Sequence, residues 1–246
     1  MKPDAATLLH HMTASWPPVA THRVGPWVLR EGPGGGTRVT CAVAEAPVTS
    51  DDLPPLLQAA ARLGQPGLVM VRQADDATDG MLATAGWPMG DEVVLYLAPS
   101  SGFAPPPGMA AFALWPPLAI QRLIWNEGGI GAGRQAVMDR TSGPKAAILG
   151  RSGDRPAGTA FVAIAGGIAF LHGLTVVPAL LRRGTARNIV AAAGAWAQAA
   201  GAAWLALAVT RGNLPARVLY ASMGMEVVGH YHYRTGCARK RSEPCE

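Results

Sequence analysis

One stretch of this chain limits its fold more than any other, because residues 156–181 contain no Lys, Arg, Asp or Glu. A run of this length is long enough to span a bilayer. However, Gly166, Gly167, His172 and Pro178 interrupt it, and its β-branched and aromatic residues fit two strands joined by a Gly-Gly turn. The segment therefore predicts a buried hairpin, and the membrane interpretation is rejected.

The composition favours a folded chain with an anionic ligand. Of the 246 residues, 49% are apolar and 15% are charged, which excludes a disordered chain. Residues 1–115 carry 6 Lys/Arg and 10 Asp/Glu, a net charge of −4, whereas residues 116–246 carry 15 and 6, a net charge of +9. A basic half indicates an anion. Because the basic residues are not interleaved with aromatic ones, a phosphorylated small ligand is favoured over nucleic acid.

The cysteines and histidines argue against a metal site. Cys41, Cys237 and Cys245 have no metal-ligand spacing and are odd in number. Without a charged and then apolar leader, they predict a reducing, cytoplasmic location. His230 and His232 lie on one face of a predicted strand, but no third ligand accompanies them. We therefore predict no bound metal.

Local patterns predict alternating helices and strands. Helices are expected over residues 5–13, 50–63, 75–85, 118–125, 184–200 and 215–223. Strands are expected over residues 27–31, 38–44, 67–71, 92–98, 135–138, 145–150, 158–164, 168–176, 204–209 and 227–234. The glycine-rich run 128–133 follows a helix instead of a strand, so it is interpreted as a helix stop and a loop.

The chain also contains a weak internal repeat. Residues 71–86 and 209–224 align without gaps; each segment follows an apolar strand and ends in a glycine suited to a helix C-cap. The first copy lacks the polar groups of the second, so chemistry is expected in the second half. Residues 99–107 have linker composition with four prolines. The sequence thus predicts two domains, 1–105 and 106–246.

The segment 170–187 has the pattern of an anion site. An apolar strand leads through Pro178 into a turn containing Arg182, Arg183 and Gly184, and a helix follows. Free N–H groups of a first helical turn, the helix dipole and a glycine that allows close approach all favour a bound anion. Taken alone, the same pattern is that of an ordinary basic helix start.

Together with the next motif, this segment resembles the GNAT (GCN5-related N-acetyltransferase) family. Residues 181–186 match its pyrophosphate signature, Gln/Arg-x-x-Gly-x-Gly/Ala, except that Leu181 replaces the leading Gln or Arg. Residues 213–220 read N-L-P-A-R-V-L-Y and match the second signature. The resemblance covers residues 116–235 well and residues 20–100 weakly. The whole therefore looks like a tandem GNAT arrangement with a degenerate N-terminal half.

The resemblance implies an α/β (α+β) fold in which each half is a mixed, mostly antiparallel twisted sheet flanked by helices. It also implies an acetyl-CoA-dependent N-acetyltransferase of the cytoplasm. Acetyl-CoA is then held by Leu174, Val176, Leu181, Arg182, Arg183, Gly184, Thr185, Ala186, Arg187, Asn213, Ala216 and Tyr220. A backbone amide near Leu174 or Val176 would face the thioester oxygen, where the strands 168–176 and 204–209 splay apart as they do in the family.

Two residues are catalytic candidates in this resemblance. Tyr220 occupies the position of the acid that protonates the departing thiolate, and a tyrosine of pKa about 10 suits a thiolate of pKa about 8.5 if it is well placed. His172 matches a histidine that helps to deprotonate the amine through water. The alternatives are a core tyrosine, a satisfied core histidine and, for Asn213, a helix cap.

The acceptor side is less defined. Trp125, Glu127 and Arg134 flank the segment that lines the acceptor in this family, and the acceptor itself is a small-molecule or peptide amine. No nucleic-acid or membrane partner is expected. The competing hypothesis is a non-catalytic acyl-CoA-binding sensor or interaction module. Aminoacyl transfer is disfavoured by the intact CoA-type turn.

Overall fold

A computed structural model describes residues 1–236, so Cys237 and Cys245 lie outside the described residues. The chain forms two compact units. The larger unit comprises Met1–Pro17 and Val94–Gly229, and the described part of the smaller unit comprises Pro18–Val93 together with residues 230–236. The domain division predicted at residue 105 differs from this partition at both termini.

Long-range packing explains the difference. The N-terminal segment belongs to the larger unit because Leu8 and Met12 bury their side chains there. The proline-rich segment 99–107, predicted as a linker, lies inside the larger unit, where the Ser100 amide donates to the Ala203 carbonyl at 3.0 Å. A proline-rich composition predicts only local conformation, so it could not show that this segment pairs with residues distant in sequence.

The larger unit contains five helices: α1 (Ala5–Ser15), α4 (Ala119–Glu127), α5 (Ala132–Arg140), α6 (Thr185–Ala199) and α7 (Leu214–Ser222). Its complete strands are β6 (Ala111–Leu114), β7 (Lys145–Ser152), β8 (Arg155–Ala165), β9 (Ile168–Val176) and β10 (Trp204–Thr210). Strands β5 (Met89–Pro99) and β11 (Glu226–Gly236) each contribute residues to both units, because the unit boundaries fall within them.

The sheet of the larger unit has the order β5–β10–β9–β8–β7–β6. Strands β9 and β10 are parallel, whereas the pairs β6–β7, β7–β8 and β8–β9 are antiparallel. Side chains alternate along β8: Ala160 and Val162 lie in the core beneath α6, and Phe161 contacts Trp16 after α1. This confirms the predicted mixed, mostly antiparallel sheet flanked by helices.

The uncharged segment forms β8 and β9, as predicted. The two strands pair from Ala165↔Ile168 onwards, and the turn uses Gly166 and Gly167 at φ of +57° and +74°. These are left-handed conformations that favour glycine. No helix among residues 1–236 is both long and apolar enough to cross a membrane.

The smaller unit contains α2 (Leu53–Arg62), α3 (Asp76–Thr84), β1 (Ala20–Val24), β2 (Trp27–Glu31), β3 (Ala42–Ala44) and β4 (Gly67–Arg72). Its strand order is β1–β2–β3–β4–β11, with β3 and β4 parallel. Strands β3 and β4 share the single partner pair Ala42↔Val69. Beyond this pair, Arg72 of β4 connects the two strands, because its guanidinium donates to the Ala44 carbonyl of β3 at 2.7 Å and to Asp75 at 2.8 Å.

Two local predictions are wrong. Gln135 and Met138 were expected in a strand but lie in α5. The side-chain amide of Gln135 donates to the carbonyls of Ile130 and Arg122, which ties α5 to the preceding turn and to α4. A four-residue alternation is too short to separate strand from helix. In addition, the predicted strand 38–44 is shorter, because a 3₁₀ turn occupies Thr37–Val39.

Candidate active site

A gap opens between the two parallel strands at the centre of the larger unit. Pairing between β9 and β10 runs from Ile168↔Trp204 to Leu171↔Leu207. Both strands continue, to Val176 and Thr210 respectively. The predicted splay is therefore confirmed. Beyond Leu171, β9 still pairs with β8, but its edge facing β10 has no strand partner within the described residues.

A bulge in β9 lies at the mouth of this gap. Thr159 and Phe161 of β8 oppose Thr175 and His172 of β9, so two residues of β9 face one residue of β8. The first of the two is Gly173, at φ +57°. The second is Leu174, so the ladder between β8 and β9 is interrupted at this residue.

Helix α4 supports the bulge from behind. The Trp125 indole nitrogen donates to the Gly173 carbonyl at 2.8 Å, and the Trp125 side chain is fully buried. In this structure the indole therefore supports the bulge, and the predicted role of Trp125 on the acceptor side stays a prediction. At the end of α4, Gly128 lies so close to Thr175 that a Cβ would come within 2.3 Å of its methyl group.

The turn before α6 has the shape of an anion cradle. Arg182 has a positive φ of +62° although it is not a glycine, and Gly184 follows at +80°. The first backbone hydrogen bond of α6 runs from Asn188 to Gly184, so the amides of Thr185, Ala186 and Arg187 have no acceptor within the helix. Successive left-handed and helical residues with free N–H groups form anion-binding concavities.

Thr185 is the first residue of α6 and is 2% exposed. Its hydroxyl oxygen is buried and has no hydrogen-bond partner among residues 1–236. Its methyl group packs against Gly150 and Gly158 of the sheet, where added Cβ atoms would come within 2.9 and 3.3 Å. The two glycines therefore let the start of α6 approach the sheet, and the hydrogen-bonding capacity of the buried hydroxyl is unused.

Helix α7 forms the opposite wall. The Asn213 side-chain oxygen accepts from the Ala216 amide at 3.2 Å, which is the helix-cap role left open by the sequence. Tyr220 lies further along α7 and is 6% exposed. Burial, with a smaller contribution from Tyr96, raises the pKa of Tyr220 to about 12. The phenol therefore stays protonated throughout the neutral and moderately alkaline range.

One cleft of about 570 Å³ joins these features. It is lined by every predicted cofactor residue except Arg183, namely Leu174, Val176, Leu181, Arg182, Gly184, Thr185, Ala186, Arg187, Asn213, Ala216 and Tyr220. No acidic residue of the described chain lines it. The cleft therefore combines an apolar interior with a positive turn, whereas the roles of its residues remain predictions.

The structure places His172 away from this cleft. Its Nε2 lies 2.9 Å from the Ser15 hydroxyl, which itself lies 3.0 Å from the Met12 carbonyl and can donate to it. With that donor used, Ser15 accepts a hydrogen bond from the Nε2–H tautomer. The ring is 7% exposed and lies against Trp16 at 5.0 Å between centroids. His172 therefore has the environment of a satisfied core histidine.

Glu127 and Arg134 are exposed, at the end of α4 and within α5, and neither lines the cleft. The sequence analysis overlooked other lining residues: Leu180, Pro215, Val218, Leu219 and Ser222. Pro215, Val218, Leu219 and Ser222 lie on α7 and are spaced three or four residues apart, so they share one face of the helix. Helical periodicity was therefore the signal that could have found them.

Comparison with known proteins gives two findings. Residues 115–225 match the model of the acetyltransferase (GNAT) family. No curated protein matches the chain. The matched range begins just before α4 and ends after α7, so it contains the bulge, the anion-binding turn and both walls of the cleft.

Solved structures give the same fold. A GCN5-related N-acetyltransferase from Kribbella flavida is 19% identical with a TM-score of 0.74, covering 96% of this chain and 97% of that chain. A tandem GNAT protein from the clavulanic acid biosynthesis pathway is 12% identical with a TM-score of 0.62, covering 96% and 90%. At these identities the likeness concerns the fold, and it extends over nearly the whole chain.

Proposed function

Because this chain contains a domain of the acetyltransferase (GNAT) family, at residues 115–225, we propose that it is an acetyl-CoA-dependent enzyme that transfers an acetyl group directly to an amine. One observation carries the proposal. A cradle of free amides at Gly184 and a buried, protonated Tyr220 line opposite walls of one cleft, where two parallel strands separate.

The residues present fit acetyl-CoA. The turn with Arg182 and Gly184 offers backbone amides and positive charge to a diphosphate. Thr185 lines the same cleft, and its unpartnered hydroxyl is a hydrogen-bond donor that matches a phosphate oxygen acceptor. The apolar wall formed by Leu174 and Leu219 suits the pantetheine arm. When bound, acetyl-CoA supplies the reactive thioester.

The chain then provides two groups for acyl transfer. We propose that the Leu174 amide at the bulge stabilises negative charge on the thioester oxygen. Tyr220 holds a proton that it can give to the departing sulfur, whose conjugate thiol has a pKa of about 8.5. Proton transfer from Tyr220 alone would be uphill because its pKa is about 12. A hydrogen bond that strengthens as the sulfur gains charge is therefore its principal contribution.

Calorimetric titration of acetyl-CoA and of free CoA tests the proposal with two matched variants. Gly184→Glu adds a carboxylate to the cradle. Gly201→Glu makes the same change after the other end of α6, where the glycine has a similar φ, +83° against +80°, and where open space likewise surrounds an added Cβ. Both variants therefore carry the same backbone strain, and only the first places negative charge in the cleft.

We expect wild type and Gly201→Glu to bind both ligands with similar affinity and Gly184→Glu to bind at least about tenfold more weakly, the loss of one to two charge-assisted contacts. Absence of binding to the wild type would reject acetyl-CoA as the ligand. Binding without release of CoA thiol, across a panel of amines, would favour the non-catalytic sensor.

A further inference from the structure

The catalytic domain is not built from the second half of the sequence alone. Strand β5, which precedes the proline-rich segment, supplies residues 94–99 to the larger unit and lies next to β10. Val94, Tyr96 and Ala98 belong to the same core cluster as Tyr220. The predicted N-terminal half therefore contributes side chains to the core in which the candidate acid is embedded.

Tyr96 is the member of this group that meets the candidate acid. Its ring centroid lies 5.7 Å from that of Tyr220, with the planes inclined at 56°. Aromatic pairs at such separations and inclinations attract each other and restrict each other's rotation. Tyr96 is 3% exposed and does not line the cleft, whereas Tyr220 does. The buried ring of Tyr96 therefore lies behind the ring of Tyr220, which lines the cleft.

Resting on the proposed acyl transfer, we propose that Tyr96 is a positioning residue that fixes the phenol of Tyr220 towards the cleft and keeps water from its inner side. A helix side chain on one wall of an open cleft needs such support, because a small displacement of a proton donor weakens its contact with the reacting atom. Tyr96 acts only through Tyr220 and touches no substrate.

The electrostatics agree with this geometry. Burial is the main reason that the pKa of Tyr220 rises to about 12, and Tyr96 adds to it. Replacing the Tyr96 ring by a smaller side chain admits water beside Tyr220, so the pKa of Tyr220 should fall towards its ordinary value of 10. This shift is measurable without any turnover.

Four variants separate positioning from general core damage: Tyr96→Leu removes the ring, Tyr96→Phe keeps it, Tyr220→Phe removes the acid, and Phe103→Leu is the control. Phe103 belongs to the same core cluster, is 5% exposed and packs on Gly194 of α6. The chain has 4 tyrosines, so the carbon-13 shift of each phenol carbon can be followed as pH rises.

For Tyr96→Leu we expect a lower Tyr220 pKa and about a tenfold lower kcat for CoA thiol release, with KM and the calorimetric Kd unchanged. Tyr96→Phe should stay within about twofold of wild type, because the ring contact remains. Phe103→Leu should lower the melting temperature but leave kcat unchanged. In the Tyr220→Phe background, Tyr96→Leu should cost nothing further.

An unchanged Tyr220 pKa in Tyr96→Leu overturns the proposal, as does a kcat loss that persists without Tyr220. Failure of the proposed function gives a different result: the wild type then releases no CoA thiol, while the Tyr220 titration still reports whether Tyr96 supports the ring.

Discussion

The unpartnered hydroxyl of Thr185 allows a test in which stability and ligand affinity move in opposite directions. The hydroxyl is buried at the start of α6 without a hydrogen-bond partner among residues 1–236, and its residue lines the cleft. Thr185→Val replaces it with a methyl group and keeps the branched shape that packs against Gly150 and Gly158. The substitution therefore removes one polar atom and changes no packing.

The magnitudes follow from the two states of this hydroxyl. In the free protein it carries a desolvation cost of about 1–3 kcal/mol with no compensating bond. Its removal should raise the free energy of unfolding by about 1 kcal/mol, which is roughly 2–4 °C in melting temperature for a chain of this size. If the hydroxyl donates to a phosphate of the ligand, its removal should cost about 1.5–3 kcal/mol of binding, or roughly 10- to 100-fold in Kd.

Thermal unfolding without ligand and calorimetric titration with CoA give the two values. Thr185→Ser is the control: it keeps the hydroxyl and should bind CoA normally, but it loses the buried methyl group and should be less stable by about 1 kcal/mol. A Val variant that is more stable and binds CoA normally would show that Thr185 does not contact the ligand. A Val variant that is less stable would refute the unpartnered state itself.

Two further predictions concern the supports of the fold. Trp125→Phe leaves the Gly173 carbonyl without its indole donor, so we expect a loss of about 1–3 kcal/mol in unfolding free energy and a fall in kcat larger than any rise in KM. In the smaller unit, hydrogen bonds from Arg234 hold the pKa of Asp79 at about 2, below its ordinary value of 3.8. The folded-state pKa is the lower one, so this stabilisation is complete above about pH 4 and is lost as the pH falls towards 2. Acid unfolding of wild type against Asp79→Asn should differ by roughly 2 kcal/mol above pH 4 and converge near pH 2, whereas Asp139→Asn, at an exposed ion pair, should change little.

The parts of the site that the sequence predicted are those encoded in contiguous residues. The turn at residues 181–187 is a local motif, because positive φ at Gly184 and free amides in the next helical turn require no distant partner. The same is true of the cap at Asn213 and the position of Tyr220 on α7. Such features survive in a single sequence, so most of the residues that line the cleft were predictable, whereas Leu180 and several residues of α7 were missed.

The parts that the sequence missed depend on contacts between distant residues. Nothing near Trp125 indicates that its indole supports a carbonyl 48 positions away. Nothing near His172 distinguishes a catalytic base from a partner of Ser15, which lies 157 positions away. Residues 94–99 and 230–236 likewise give strong strand patterns, but a pattern of alternation does not tell which unit a strand completes.

A comparison of the two gaps suggests why an open cleft occurs in the larger unit. In both units a parallel strand pair is followed by a helix after its second strand: β9–β10 with α7, and β3–β4 with α3. In the smaller unit Arg72, the last residue of β4, reaches across to the Ala44 carbonyl and is held by Asp75 before α3. In the larger unit the last residue of β10 is Thr210, too short to span such a gap, and Asn213 before α7 caps its own helix. The difference between the two units therefore depends on Arg72 and Asp75: Arg72 connects the ends of β3 and β4, whereas no equivalent side chain of β10 connects the ends of β9 and β10.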